Sequence, residues 1–85
     1  MGRFEVFDLL KSYRDFGNHD FVPVNIIRKD LLERDVSVDR LWGILADAER
    51  FNEVDGKLLW IINERGRWST FRGYRLSDDL WRRLK

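Results

Sequence analysis

The sequence predicts a small α+β domain: a three-helix core, a C-terminal β-hairpin and a final short helix. Three observations carry that expectation. Apolar residues recur at intervals of three and four through residues 4–16 and 41–51, the period of a helix with one buried face. Residues 57–63 and 68–76 are rich in Leu, Ile, Trp, Thr and Tyr and flank a Gly-containing turn, which reads as two strands of a hairpin. Residues 77–85 open on Ser, continue with two Asp and close on basic side chains, the charge order of a short capped helix.

Taken in order, Phe4, Val6, Phe7, Leu9, Leu10, Tyr13 and Phe16 form the apolar face of the first helix, with Lys11 and Arg14 between them. Gly17-Asn18 supplies its stop, because both residues tolerate the left-handed conformation that ends helices. His19 and Asp20 fall in a loop. Phe21-Val22-Pro23 is β-prone but brief, and Pro confines it to an edge. Asn25 is the expected cap of a second helix, with Ile27, Leu31 and Leu32 inward and Arg28, Lys29 and Glu33 in water, ending near Asp35. Ser37 is the expected cap of a third, with Leu41, Ile44, Leu45, Ala48 and Phe51 on its apolar face and an end near Asn52. Asp55-Gly56 marks a turn before the first strand, and residues 64–67 turn the hairpin. In the second strand Trp68, Thr70, Tyr74 and Leu76 share a face by period two, interrupted by Arg72. Ser77 caps the last helix, whose apolar face is Leu80, Trp81 and Leu84 and whose last turn holds Arg82, Arg83 and Lys85.

With 85 residues there is room for one core, so residues 1–85 are expected to form a single domain. The 44% hydrophobic content, including six Phe, four Trp and two Tyr, supplies that core without metals or disulfides. The absence of Cys removes thiolate nucleophiles, disulfide frameworks and cysteine zinc sites. The one His, His19, lies between Asn18 and Asp20 with no clustered ligands, and no phosphate-cradling Gly loop or Ser nucleophile motif occurs. The expectation is a protein that is not an enzyme and takes no cofactor or metal. No stretch approaches the roughly 20 apolar residues of a membrane span. Glu5 and Asp8 interrupt the first ten residues where a signal peptide would be apolar, so a soluble cytoplasmic protein is expected.

The net charge of +1 conceals an asymmetry: residues 1–56 hold eight basic and twelve acidic side chains, whereas residues 57–85 hold eight basic and three acidic. A polyanion would be drawn to the C-terminal part and repelled by much of the rest.

The order helix, short strand, helix, tight turn, helix, hairpin, helix resembles the winged helix-turn-helix family, in particular its small archaeal, phage or viral regulators. Two local runs carry the likeness: Asp35-Val36-Ser37 leading to Leu41, and Tyr74-Arg75-Leu76-Ser77 running into Asp78-Asp79-Leu80-Trp81. The resemblance spans nearly the whole chain. It implies a winged helix with a DNA-binding, transcription-regulating role, its third helix in the major groove and its wing on an adjacent groove or the backbone. It also implies a homodimer on double-stranded DNA, with the aromatic first and last helices as the dimer surface. Members of the same family serve as protein-binding modules.

Charge divides these readings. From Ser37 to Asp55 there are five acids and two bases, so the third helix would meet phosphates with net repulsion. The hairpin instead carries Arg65, Arg67, Arg72 and Arg75 against Glu64 alone. The DNA reading therefore rests on a basic wing, with Arg40 and Arg50 as third-helix contacts and Gly43 and Ala46 allowing close backbone approach. The alternative is a protein-interaction module whose acidic third helix meets a basic partner. Among the tryptophans, Trp60 and Trp81 are expected in the core, and Trp68 and Trp42 are the candidates for partner contact. An exposed Trp68 beside the wing arginines would also suit single-stranded nucleic acid.

Overall fold

A computed structural model of the chain describes residues 3–84. Its elements are α1 (Arg3–Asp15), β1 (Val22–Pro23), α2 (Val24–Glu33), α3 (Leu41–Arg50), β2 (Val54–Ile62), β3 (Trp68–Leu76) and α4 (Asp78–Leu84). The strands form one antiparallel sheet in the order β1-β3-β2, giving an α+β architecture. No helix is long and apolar enough to cross a membrane among the described residues.

The first three helices stop by one device. Gly17, Asp35 and Asn52 each take the left-handed conformation, at φ 95°, 58° and 58°. The amide after each reaches back into the last turn: Asn18 N–H to Tyr13 O, Val36 N–H to Leu31 O and Glu53 N–H to Ala48 O. This pattern satisfies carbonyls that a bare helix end would leave open. Helix starts are less uniform. Ser77 caps α4, its Oγ accepting the Leu80 amide at 3.2 Å. The caps expected at Asn25 and Ser37 do not form. α2 begins at Val24 directly from β1, with the still extended Pro23 at the boundary and no side-chain cap, so Asn25 lies inside the first turn and not before it. Ser37 Oγ accepts the Asp39 amide at 3.4 Å and closes a short turn, so α3 starts four residues later, after Arg40.

The core joins Val6, Leu9 and Leu10 of α1, Ile27 and Leu31 of α2, and Leu41, Leu45 and Ala48 of α3 to Val22, Val54, Tyr74 and Leu76 of the sheet. Strand register explains why the sheet contributes so few residues. Val54 lies opposite Leu76, Gly56 opposite Tyr74, Leu58 opposite Arg72, Trp60 opposite Thr70 and Ile62 opposite Trp68, so these ten positions share one face. The helices bury only the Val54, Tyr74 and Leu76 end of it. The rest of the hairpin runs past them, and the molecule extends 39 Å along its long axis against 25 Å across.

Trp60 is therefore not a core residue, contrary to expectation: it is 67% exposed, because its face is apolar but no helix reaches it. Trp81 is partly buried at the edge of the core, in contact with Arg14 and His19. The buried Arg14 ties α1, β3, α4 and the loop at His19 together. It donates to Leu76 O at 2.8 Å, Asp78 Oδ1 at 2.8 Å and His19 Nδ1 at 3.2 Å, with its guanidinium 4.4 Å from the Trp81 ring centre.

Candidate nucleic-acid interface

The hairpin tip is built around Asn63. Its backbone N–H donates to Arg67 O at 2.7 Å and its carbonyl accepts Gly66 N–H at 2.9 Å. Its side-chain Oδ1 accepts the amides of Arg65 (2.9 Å) and Arg67 (3.1 Å), while Nδ2 donates to Ser69 Oγ at 3.1 Å. Gly66, at φ 75°, takes the left-handed position that closes such a turn, where any larger residue would be strained. The backbone of the tip is thus fixed by one side chain, and Arg65 and Arg67 project from it, exposed and outside every ion pair of the described residues. Charge patterning alone does not reveal Asn63 as a positioning residue. Its signal was an Asn three residues before a turn Gly.

The other two hairpin arginines are committed inside the molecule. Arg72 crosses Gly56 to reach Glu49 of α3, with Nη2 2.9 and 2.8 Å from the two carboxylate oxygens, and its Nε donates to Tyr74 Oη at 3.3 Å. The Tyr74 hydroxyl, followed by Glu49, holds this guanidinium above its ordinary pKa range. A Cβ on Gly56 would lie 2.8 Å from Arg72 Nη2 and 2.9 Å from Glu49 Oε2, so the pair closes over a position that carries no side chain. Arg75 binds Asp55 at 3.2 Å and His19 O at 2.9 Å, and packs 4.7 Å from the Phe21 ring centre on the opposite face of the sheet. Lys57 covers the same ring at 4.6 Å.

These pairs change the charge of α3. Of the five acids between Ser37 and Asp55, Glu49 is held by Arg72, Asp55 by Arg75 and Glu53 by Arg3. Asp39 and Asp47 remain, against Arg40 and Arg50, which are both exposed and outside every ion pair among the described residues. Ten residues apart, these two arginines stand about 15 Å apart along the helix axis. Between them Gly43 and Ala46 are exposed, and a Cβ built on Gly43 would meet nothing within 4 Å. The surface of α3 is consequently close to electroneutral, with its arginines at the two ends.

Trp42, in the first turn of α3, and Trp68, where β3 leaves the tip, are both exposed, at 59% and 64%. No ring contact joins them among the described residues. Trp68 shares its face with Ile62, Trp60 and Leu58 and follows directly on Arg67. Lys85 lies outside the described residues, while Arg82 and Arg83 are exposed on α4. An open groove of about 400 Å³ beside the tip is lined by Asn25, Ile61, Asn63, Arg65 and Phe71 among others. No group of His, Asp or Glu side chains able to hold a metal ion occurs among the described residues. No family model, no curated protein and no solved structure matches the chain.

Proposed function

We propose that the chain is a winged-helix DNA-binding protein, a small transcriptional regulator that contacts duplex DNA mainly through its hairpin. The element order and the β1-β3-β2 sheet support the winged-helix reading, with β2 and β3 as the wing and α3 as the helix presented to the groove. The observation that carries the functional reading is the pair Arg65 and Arg67, uncompensated on a tip whose backbone Asn63 holds in place. Arginine on a pre-ordered turn loses little freedom on meeting a phosphate or a narrow minor groove. Arg72 and Arg75 act differently in this reading: they neutralise Glu49 and Asp55, so that Arg40 and Arg50 approach the duplex without the repulsion the sequence implies. The same pairing weakens the alternative of an acidic third helix receiving a basic protein, because most of that acidity is already matched.

Binding of labelled random duplex at several salt concentrations tests the proposal. The parent should bind in a salt-dependent manner. Arg65→Ala/Arg67→Ala should lower the slope of log affinity against log salt by about 2, one for each lost phosphate contact. Charge reversal at Arg40 and Arg50 should weaken binding further. A double-alanine variant that binds like the parent, with the same salt slope, refutes a wing-led contact.

A further inference from the structure

β2 is an edge strand. Its nine residues pair with β3 on one side, and on the other no backbone group bonds to any described residue. Bond alternation shows which residues face the open side. The ladder is flanked by Ser77 N–H to Glu53 O at one end and Asn63 N–H to Arg67 O at the other. Odd-numbered residues of β2 thus turn their N–H and C=O toward β3, and Val54, Gly56, Leu58, Trp60 and Ile62 turn theirs outward.

Three of these five also carry exposed apolar side chains: Leu58 is 56% exposed, Trp60 67% and Ile62 55%, with Trp68 directly opposite Ile62. Together they present on the order of 500 Å² of apolar surface, within the range of the largest patch on a monomer. Edge strands that stay unpaired are normally guarded by charge, proline or a bulge. Residues 58–62 contain no charge, Pro or Gly, and the nearest charge, Lys57, is drawn over Phe21 on the other face.

We infer that β2 pairs antiparallel with β2 of a second copy of this chain, about a two-fold axis at Trp60. The occupant follows from self-complementarity. With Trp60 opposite its own copy, Leu58 meets Ile62 and Ile62 meets Leu58. Each outward N–H and C=O then finds a partner of the same parity, and every side chain beside the axis on the exposed face is apolar. The pairing buries the open edge of β2 and the flanks of Leu58, Trp60 and Ile62 in both copies, and it joins their two apolar faces into one continuous face. Expectation from the sequence put the dimer on the first and last helices. The exposed Phe4 and Phe16 of that surface stand about 18 Å apart along the axis of α1 and form no single patch. The β2 pairing stands independently of the DNA reading and adds one consequence to it. Ten residues of strand separate the two Arg65 positions, so the tips lie about 34 Å apart at 3.4 Å per residue, close to one turn of duplex.

Sedimentation of the full chain without nucleic acid tests the pairing. The parent should be dimeric at tens of micromolar. Trp60→Pro, which removes an N–H that faces outward and leaves the β2–β3 ladder whole, should be monomeric with an unchanged circular dichroism spectrum. Trp60→Lys, which keeps that N–H and adds an edge charge, should be monomeric too and serves if the proline variant misfolds. Because the chain has no Cys, Trp60→Cys supplies a lone thiol, expected to oxidise to a cross-linked dimer faster than Phe16→Cys. The Cα separation of a hydrogen-bonded antiparallel pair, about 5.5 Å, suits a disulfide. A parent that stays monomeric at millimolar concentration overturns the proposal, as does a dimer that survives Trp60→Lys. Either result leaves the wing-tip reading to its own salt titration.

Discussion

The two ends of the hairpin are made of the same residue types and treat them in opposite ways. At the base, Tyr74 and Leu76 are buried under the helices, and Arg72 and Arg75 are bound to Glu49 and Asp55. Toward the tip, Trp60, Trp68 and Ile62 are exposed, and Arg65 and Arg67 have no carboxylate partner among the described residues. Strand periodicity is unbroken along the whole length. What differs is the reach of the helices, which end over Gly56. An apolar side chain covered by a helix adds to stability, whereas the same side chain beyond that cover is available to something else. The base is therefore the structural half of the hairpin and the tip the half with spare binding capacity.

The sharpest test of this division is a pair of truncations. Leu45, fully buried where α3 meets the core, should cost about 2–5 kcal/mol on replacement by Ala, from lost burial and the cavity left behind. Trp68→Ala removes a larger side chain but only an exposed cross-strand contact with Ile62, so less than about 1 kcal/mol is expected. Urea denaturation of both variants, under conditions where the parent is monomeric, measures the contrast. A Trp68 variant as unstable as the Leu45 variant would mean that the distal face is part of the core after all.

Much of the fold was legible in the sequence because it depends on neighbours along the chain. Gly17 and Asn52 stand where a helix must turn left-handed, Ser77 stands three residues before the amide it caps, and Gly66 stands at the turn position that tolerates positive φ. The candidate site was less legible because its decisive contacts join distant residues. Arg72 and Glu49 are 23 positions apart, Arg75 and Asp55 20, and Arg3 and Glu53 50. Charge counting along the chain registers five acids near α3 but not the arginines that fold over three of them. Trp60 was misjudged for a related reason: alternation reports which face a strand residue occupies, not whether a helix extends far enough to cover it.

Gly56 offers an intermediate effect that probes this neutralisation directly. Gly56→Ala puts a methyl group between Arg72 and Glu49, and both are flexible ends that can separate. Their pair is partly solvent-exposed, so its loss should cost no more than about 1 kcal/mol of stability. Freeing the Glu49 carboxylate beside α3 should nevertheless weaken duplex binding, by up to about fivefold at low salt and less as salt rises. Fluorescence anisotropy against salt, with denaturation in parallel, separates the two effects. Unchanged affinity at low salt would show that Glu49 lies outside the contacted surface.

The smallest expected effect lies at the far side of the core, where α4 returns to α1. A hydrogen bond from Arg14, reinforced by its charge, holds the Asp78 carboxyl below the usual range for Asp. Because the folded-state pKa is the lower one, Asp78 stabilises the fold above the ordinary Asp range, and this contribution disappears as pH falls through the lowered value. Stability measured from about pH 5 down to about pH 2 should therefore fall less steeply in Asp78→Asn than in the parent, with the two curves parallel near neutrality. Asp78 is largely in water, so the difference should be modest even though Arg14 itself is buried. A variant whose acid limb superimposes on that of the parent would show that Leu76 O, His19 and the Trp81 ring suffice to hold Arg14, and that α4 docks through packing without help from the Asp78 charge.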